Sequence, residues 1–408
     1  MKCRHCGAEL SLPLIDLGSA PPSNAYLTET SLRAPEKWFP LRVLVCTACW
    51  LAQTEDYAGA EELFAADYAY FSSFSTSWLA HAERYVADMT TRFDLDSSSQ
   101  IIEVAANDGY LLQYAKARGI PCLGIEPTAS TAAAARAHGI DIVEEFFGMR
   151  LAQKLVGQGR SADLITANNV LAHVPDINGF VAAFARLLKP TGVATFEFPH
   201  LLRLVAESEF DTIYHEHFSY LSLTSVIRIF ERSGLAVFDV EELPTHGGSL
   251  RVFAQRKESH TRQPTLRVAA MLARENAAQM TTRGYYSVFQ AKADRVKNDF
   301  LFFLVEAKRA GKKTAAYGAA AKGNTLLNYA GVRPDLLPWV ADRSPAKQGK
   351  YLPGSRIPVV DEAHLRVERP DYVVILPWNL REEVVAQLSY IREWGGQFVT
   401  AVPSLVAH

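Results

Sequence analysis

The sequence lacks a strong excess of charge and any long apolar run. Its 42 lysines and arginines almost balance 44 aspartates and glutamates, for a net charge of −2, which argues against a surface built to bind nucleic acid. No apolar stretch reaches the roughly 18 residues of a membrane-spanning helix, and the N-terminus has no signal-peptide core. We therefore expect a cytoplasmic, globular, monomeric protein with neither a nucleic-acid nor a membrane partner.

Cysteine is also scarce, and its placement argues against a disulfide framework. Four of the five cysteines form two pairs of identical spacing, separated by 39 residues: Cys3, Cys6, Cys46 and Cys49. Four thiolates in this pattern satisfy the tetrahedral preference of Zn²⁺ and leave no open position, so the spacing predicts a structural zinc site. His5, inside the first pair, is expected to be exposed rather than a ligand. Cys122 is expected to be a small core hydrophobe.

The chain is too long for one core, since it has 408 residues of which 49% are apolar. We predict an α/β protein with an N-terminal zinc-binding module in residues 1–60. A central Rossmann-like domain with a helical entry segment should occupy residues 61–260. A helical connector and a smaller Rossmann-like domain should occupy residues 261–408. For the aromatic and hydroxyl cluster at 68–78, packing between segments and a lid over a site are both open.

The stretch 101–112 (IIEVAANDGYLL) predicts a strand, a tight turn and a helix start. Small residues at Ala105 and Gly109 would let a ligand approach the backbone, and the helix start would offer free N–H groups. Glu126 ends a second strand, where an acid binds the ribose of an adenosine-containing cofactor. Because the chain has neither GxGxxG nor a phosphate-binding lysine here, S-adenosylmethionine fits better than NAD or ATP. An ordinary turn without a ligand is the alternative.

Residues 99–200 alternate strands and helices in the doubly wound manner, with strands near 101–105, 121–126, 141–143, 163–167 and 193–198. Ligands of such sheets bind beyond the carboxyl ends of the strands. Asn168, Asn169 and His173 follow the fourth strand, so we expect them at the same crevice as Asn107 and Glu126. Capping of a helix is an equal alternative for His173.

The segment 213–220 (IYHEHFSY) is the densest cluster of proton-transferring side chains. On an extended segment His215 and His217 would point the same way, with Glu216 opposite. The spacing supplies no third metal ligand, so general acid–base chemistry by histidine is preferred. A buried aromatic and histidine packing patch is the alternative. The stretch 245–251 (THGGSLR) starts a strand and could line the same crevice.

A second strand–turn–helix unit occupies 313–324 (KTAAYGAAAKGN), and strands are expected at 339–342, 372–376 and 397–400. The first strand should end at Gly318, and the helix should begin at Asn324. Lys322, in the loop between them, would suit a diphosphate at a helix N-terminus. Asp342 could hold a ribose. A purely structural βαβ unit is equally open.

Taken in order, the motifs of the chain resemble the three-domain sugar C-methyltransferases of deoxysugar pathways, nearly end to end. They are the two CxxC pairs, ExxxNDG (103–109), YHEHFSY (214–220), GGSLR (247–251), YGAxxKGN (317–324) and PWNLREE (377–383). The resemblance implies S-adenosylmethionine and structural zinc as cofactors and a TDP-linked 4-keto-6-deoxy sugar as substrate. A base would remove the proton at the third sugar carbon, and the resulting carbanion would take the methyl group.

The resemblance also implies roles for individual residues. His217 would be the base, with Tyr214, Glu216 and, from the preceding segment, Tyr70 supporting it or handling the enolate. The residues expected to contact the sugar nucleotide are His215, His246, Lys322 and Asn324. The residues expected to hold the cofactor are Glu103, Ala105, Asn107, Asp108, Gly109, Glu126, Asn168 and Asn169.

One departure from the family pattern is Ala105, where relatives usually have glycine. Two alternatives to methyl transfer therefore stay open. The first is cofactor-free epimerisation or elimination next to the ketone, which would need His217 but no methyl donor. The second is a zinc-stabilised scaffold that binds a nucleotide sugar without turnover. The intact acid–base cluster argues against the scaffold.

Overall fold

The structure, a computed structural model, describes residues 1–55 and 71–408. These residues form three β-sheets with helices packed between and around them. No helix in these two ranges is both long and apolar enough to cross a membrane. Tyr70, which the resemblance places at the site, lies outside the described residues.

The first sheet is antiparallel and belongs to the N-terminal part of the chain. Its first three strands are β1 (Leu12–Ala20), β2 (Phe39–Val45) and β3 (Ala52–Thr54). Alternate side chains of β2, namely Leu41, Val43 and Val45, are buried, as the period-two pattern of a half-buried strand requires. One cysteine pair precedes β1 and the other lies between β2 and β3, so the sheet brings the pairs together.

The four paired cysteines converge, as their spacing predicts. Their Sγ atoms lie within 4.8 Å of one another, and both Cys3–Cys49 and Cys6–Cys46 are 3.5 Å apart. Tetrahedral zinc with Zn–S bonds of about 2.3 Å holds its sulfurs about 3.8 Å apart. The cluster therefore fits a structural zinc ion. The expectation for His5 is wrong, because its ring is buried against the side chain of Asn178, with Nδ1 2.7 Å from Oδ1.

The middle part of the chain carries eight strands and seven helices among the described residues. The strands are β4 (Ile101–Val104), β5 (Cys122–Ile125), β6 (Ile142–Val143), β7 (Ala162–Asn168), β8 (Leu188–Pro199), β9 (Ser219–Tyr220), β10 (Leu235–Leu243) and β11 (Ser249–Arg256). The α-helices are α1 (Thr76–Arg92), α2 (Leu112–Ala117), α3 (Ala129–Ala137), α4 (Met149–Gly157), α5 (Ile177–Leu187), α6 (Leu201–Ala206) and α7 (Leu223–Arg232).

Seven of these strands form one sheet in the order β10-β11-β8-β7-β4-β5-β6, and β9 pairs with β3 of the first sheet. Strands β4 to β8 are parallel, whereas β11 runs antiparallel to both β8 and β10. All five predicted strands are confirmed. Strand β4 is buried at all four positions because helices cover both faces of a parallel sheet, which explains why Ile101, Ile102 and Val104 are apolar, while Glu103 is a buried acid.

The turn after β4 is held in an unusual backbone conformation. Ala105 has φ +57°, Asn107 has φ +49° and Gly109 has φ +80°. A Cβ atom is disfavoured in this left-handed region, so the backbone at Ala105 is one that glycine adopts more easily. Helix α2 begins at Leu112. The strand order reverses between β4 and β7, and this turn therefore lies at the crevice where ligands of such sheets bind.

The C-terminal part repeats this plan on a smaller scale. Its strands are β12 (Thr314–Tyr317), β13 (Val340–Ala341), β14 (Val359–Val360), β15 (Tyr372–Ile375), β16 (Gln397–Thr400) and β17 (Val406–Ala407). Its α-helices, including the predicted connector, are α8 (Leu266–Ala277), α9 (Arg283–Ser287), α10 (Phe289–Arg309), α11 (Ala321–Tyr329), α12 (His364–Glu368) and α13 (Arg381–Gln387).

The C-terminal sheet has the order β14-β13-β12-β15-β16-β17, with only β17 antiparallel. The predicted strands are confirmed, but the predicted helix start is wrong. Helix α11 begins at Ala321 rather than at Asn324, because alanine and lysine are good helix formers and extend the helix towards the strand. Lys322 is therefore in the first helical turn instead of a loop.

The N-terminal sheet packs against both Rossmann-like units. One apolar cluster joins Leu10 and Leu51 to residues of the middle sheet such as Ile165. Another joins Val43 of β2 to Phe300 of α10 and to residues of the C-terminal sheet. The zinc-binding module therefore supports the two larger units together.

Loss of the zinc site should weaken this whole assembly. We expect Cys46→Ser to abolish stoichiometric zinc binding and to lower the free energy of unfolding by more than about 4 kcal/mol, because metal binding contributes folding energy directly. Metal content and denaturant unfolding measure both effects. Cys122→Ser, outside the cluster, should retain zinc, and a Cys46→Ser protein with wild-type zinc content would contradict the assignment.

Replacement of Ala105 tests the strain in the turn. Ala105→Gly relieves about 1–2 kcal/mol of left-handed strain and adds about 0.5–1 kcal/mol of unfolded-state entropy. We therefore expect it to leave the stability unchanged or to raise it by up to about 1.5 kcal/mol. The matched control is Ala106→Gly, which has no positive φ and should lower stability. Equal losses in the two variants would contradict the strain.

Candidate active site

The cofactor-type crevice contains three buried carboxylates. Glu126 accepts hydrogen bonds from the backbone N–H groups of Asn107 and Thr128, both at 2.9 Å. Burial raises the pKa of Glu103 well above its usual range, and the nearby Asp108 and Glu126 add to the effect. Such a concentration of buried acids suits a ligand that brings hydroxyl groups and a positive charge.

The turn also fixes the segment that precedes α1. Asp108 Oδ2 accepts from the backbone N–H of Ser73 at 3.1 Å and from its hydroxyl at 2.5 Å. Asn107 Oδ1 accepts from the backbone N–H of Ser72 at 2.9 Å. The described end of the aromatic cluster therefore lies on the cofactor turn, while Asp108 Oδ1 is buried without a hydrogen-bond partner among the described residues.

Asn168 ends β7 and Asn169 follows it, and Asn169 meets His246. Asn169 has φ +56°, and its Nδ2 lies 3.0 Å from Nε2 of His246. Since the amide nitrogen only donates, the Nε2 atom accepts and the ring is neutral. Burial lowers the pKa of His246 to about 4, and the charge of Lys322 acts in the same direction. The crevice of the middle sheet thus reaches the Gly-Gly turn between β10 and β11.

The segment around His217 is a turn rather than an extended strand. The backbone N–H of His217 donates to the carbonyl of Tyr214 at 2.9 Å. The prediction that His215 and His217 point the same way is therefore wrong, because the hydrogen-bonded turn rotates successive side chains apart. His215 points to Phe39, with Nε2 3.3 Å from the carbonyl oxygen. Glu216 accepts from Asn24 Nδ2 at 3.1 Å.

His217 is buried among other rings. Its centroid lies 4.0 Å from that of Tyr214, 4.5 Å from that of His173 and 6.0 Å from that of Tyr220. Its Nδ1 lies 2.9 Å from the carbonyl oxygen of Thr212. Because a carbonyl only accepts, Nδ1 carries the proton and Nε2 has a free lone pair. Burial lowers the pKa of His217 well below its usual range, and the neighbouring His173 adds to this effect.

The acid within the same turn is perturbed in the opposite direction. Burial raises the pKa of Glu216 to about 7. Its carboxyl group faces Asn24 of the N-terminal module, so it supports the turn from behind. The structure therefore brings His217, Tyr214 and His173 together but separates them from His215.

A second charged cluster was missed by the sequence analysis. Trp378 Nε1 donates to Asp211 Oδ2 at 2.8 Å, and Lys322 Nζ lies 4.4 Å from the centre of the Trp378 ring. Lys322 also donates to Asn379 Oδ1 at 3.0 Å. Burial raises the pKa of Asp211 to about 6 and that of Glu209 to about 7, while the charge of Lys322 opposes both shifts. The sequence feature that could have indicated this cluster is Glu209-Phe-Asp211, two acids just before the histidine segment.

The remaining residues expected at the sugar nucleotide lie deeper in the fold. Asn324 is buried and its Nδ2 donates to the carbonyl of Ser23 at 2.7 Å. Asp342 accepts from the backbone N–H groups of Ala319 at 2.7 Å and Ser344 at 2.8 Å. In the C-terminal sheet the strand order reverses between β12 and β15, and this place is the C-terminal switch point. These contacts there are made with groups of the protein itself.

A cavity of about 770 Å³ lies between the middle and C-terminal parts. The turn between β10 and β11 lines it, together with His200 and Arg203, which follow β8, and residues of the PWNLREE segment. Its lining residues include Arg203, Gly247, Gly248, Trp378 and Arg381. Lys322 and Asn324 are not among its described lining residues.

Comparison with known proteins agrees with this architecture. Family models match residues 3–64 as a zinc binding domain, 78–240 as a methyltransferase domain and 244–403 as a C-methyltransferase C-terminal domain. The C-methyltransferase NovU of Streptomyces niveus is 32% identical over 403 residues, which cover 98% of this chain and 95% of that protein.

Two solved structures are similar to less than half of the chain. Magnesium protoporphyrin IX methyltransferase from Synechocystis, solved with bound SAH, has 15% identity and a TM-score of 0.36 over 44% of this chain and 83% of that one. The PH0226 protein from Pyrococcus horikoshii has 14% identity and a TM-score of 0.39 over 46% and 95%. The end-to-end relative and the family models decide the classification: the chain belongs to the S-adenosylmethionine-dependent C-methyltransferases.

Proposed function

We propose that this enzyme methylates the third carbon of a TDP-linked 4-keto-6-deoxy sugar. The observation that carries the proposal is the buried, neutral His217, whose Nδ1–H is fixed on the Thr212 carbonyl and whose Nε2 is therefore free to take a proton. A base of this kind suits removal of a proton next to a ketone. The NovU relative, a C-methyltransferase that matches nearly the whole chain, supports the reaction class.

The cofactor would be held at the turn after β4. Glu126 would bind the ribose, while Glu103 and Asp108 would face the charged methionine end. The other residues proposed to hold it are Ala105, Asn107, Gly109, Asn168 and Asn169. The buried acids and the unpartnered Oδ1 of Asp108 fit such a ligand. When bound, S-adenosylmethionine supplies the methyl group for transfer to the deprotonated carbon.

Proton removal and oxyanion stabilisation would be divided between neighbouring side chains. His217 Nε2 takes the proton, and the hydroxyl of Tyr214, whose ring lies 4.0 Å away, donates to the enolate oxygen. Glu216 would support the turn that carries His217 by accepting a hydrogen bond from Asn24. Tyr70 would add a donor from the preceding segment. His215 and His246 are proposed to shape the sugar pocket.

Replacement of the base gives the first test. We expect His217→Asn to reduce exchange of the substrate proton with deuterated water, and methyl transfer, by on the order of a thousandfold, because asparagine cannot accept the proton. Binding of S-adenosylhomocysteine should be unchanged. His138→Asn, at an exposed position, is the matched control. Exchange at the wild-type rate in His217→Asn would overturn the assignment, and exchange without methyl transfer in the wild type would favour the cofactor-free alternative.

The pH dependence gives a second test. A base must be deprotonated to act, and burial holds the pKa of His217 below its usual value near 6.5. The rate of proton exchange should therefore stay on its plateau as the pH falls to 6.5 and decline only at lower pH. The exchange rate is measured from pH 5 to 8, with S-adenosylhomocysteine binding followed over the same range. A decline that begins above pH 7 would contradict a buried neutral base.

A further inference from the structure

The C-terminal switch point is filled by the chain's own residues. The hydroxyl of Tyr26 donates to the carbonyl of Ala319, and Lys347 Nζ donates to the same oxygen at 2.8 Å. Lys347 also lies 3.8 Å from Asp342. A nucleotide placed where Rossmann-like sheets usually bind one would have to displace these contacts. The loop after β12 is thus a poor place for the diphosphate of a substrate.

Lys322 likewise already contacts other side chains of the protein. Its side chain is partly buried, and its charge lies over Trp378 and against Asn379. Burial lowers the pKa of Lys322, and the nearby Asp211 and Glu209 oppose that shift. The cation therefore already has partners within the cluster that joins the two halves of the chain.

The 770 Å³ cavity has a different construction. Its floor is the Gly247-Gly248 turn, with φ +96° and φ +134°. A Cβ at Gly247 would come within 2.5 Å of Trp378 Cη2, and a Cβ at Gly248 within 2.8 Å of Arg203 Cγ. Both glycines are thus required so that Trp378 and Arg203 can pack directly on the backbone.

Two arginines line this cavity from opposite parts of the protein. Arg203 comes from α6 and Arg381 begins α13. Each side chain is about half exposed, and among the residues that the structure describes each has a long ion pair with its own neighbour: Arg203 with Glu207 at 3.8 Å and Arg381 with Glu382 at 3.5 Å. A charge-assisted hydrogen bond is about 2.7–2.9 Å long, so these guanidinium groups keep donors for a ligand.

The acids in the cavity wall have partners of their own or are exposed. Glu242 pairs with Arg274, Glu383 accepts from the Ser77 hydroxyl at 2.8 Å, and the Glu382 side chain is 92% exposed. The cavity also adjoins the base. Pro199 and Leu204 line the small pocket of His217, while their chain neighbours His200 and Arg203 line the large cavity.

We propose that Arg203 and Arg381 bind the diphosphate of the nucleotide sugar in this cavity, with the Gly247-Gly248 turn as its floor. The inference rests on the proposed function and places the diphosphate at a different location from the one expected from the sequence. Arg203 binds from the methyltransferase side and Arg381 from the C-terminal side, so the diphosphate bridges the two parts of the chain. The sugar then extends towards the wall shared with the His217 pocket.

The test is calorimetric titration of the full-length zinc-loaded protein with TDP, with S-adenosylhomocysteine saturating so that the cofactor crevice is blocked. We expect Arg203→Gln and Arg381→Gln each to weaken TDP binding about tenfold and the double variant to weaken it further. Arg309→Gln, a 74%-exposed arginine on α10, is the matched control and should bind like the wild type. Thermal unfolding and S-adenosylhomocysteine binding should be unchanged in all variants.

The outcomes separate the subsite from the function on which it rests. TDP binding that survives in the double variant would overturn the subsite. A wild-type protein that binds S-adenosylhomocysteine but no TDP would also overturn it, while leaving methyl transfer intact. A wild-type protein that binds neither ligand would overturn the proposed function itself.

Discussion

The hydrogen bond from Trp378 to Asp211 joins the two halves around the site. Trp378 follows β15 of the C-terminal sheet, and Asp211 lies just before the histidine turn of the middle part. Buried charges are stable only when they are paired and hydrogen-bonded. Asp211 accepts from the indole N–H of Trp378, and the charge of Lys322 opposes the rise in the pKa values of Asp211 and Glu209, only when the two parts are in contact. The same contact places Trp378 on Gly247 and forms one wall of the cavity.

Other buried acids join the segments in the same way. Glu275 of α8 lies 2.7 Å from His200 and accepts from the backbone N–H groups of Leu223 and Thr224 at the start of α7. A carboxylate at a helix N-terminus is favourable because the unpaired N–H groups and the helix dipole attract it. The connector is therefore fixed to the methyltransferase part as well as to the C-terminal sheet.

Strand positions, the zinc cluster and the cofactor turn could be predicted because each depends on local pattern or on short spacing. Val43 and its neighbours in β2 alternate, β4 is apolar except at Glu103, and the cysteine pairs have metal-ligand spacing. The orientation of His215 and the hydrogen bond from Asn324 to Ser23 could not be predicted in this way. The His215 side chain faces the carbonyl of Phe39, and Asn324 donates to the carbonyl of Ser23, and both partners are far away in the chain.

The sequence by itself determined the kind of chemistry: a tetrahedral thiolate set, an adenosine-type crevice and a histidine near a tyrosine. Tertiary structure decided which groups act together. It buried His217 so that its ring is neutral, and it turned Glu216 towards Asn24. It also covered the second switch point with Tyr26 and Lys347 and left Arg203 and Arg381 at an open cavity. The physical reason is that solvation and charge pairing depend on all the neighbours of a group, and most of those neighbours are far away in the chain.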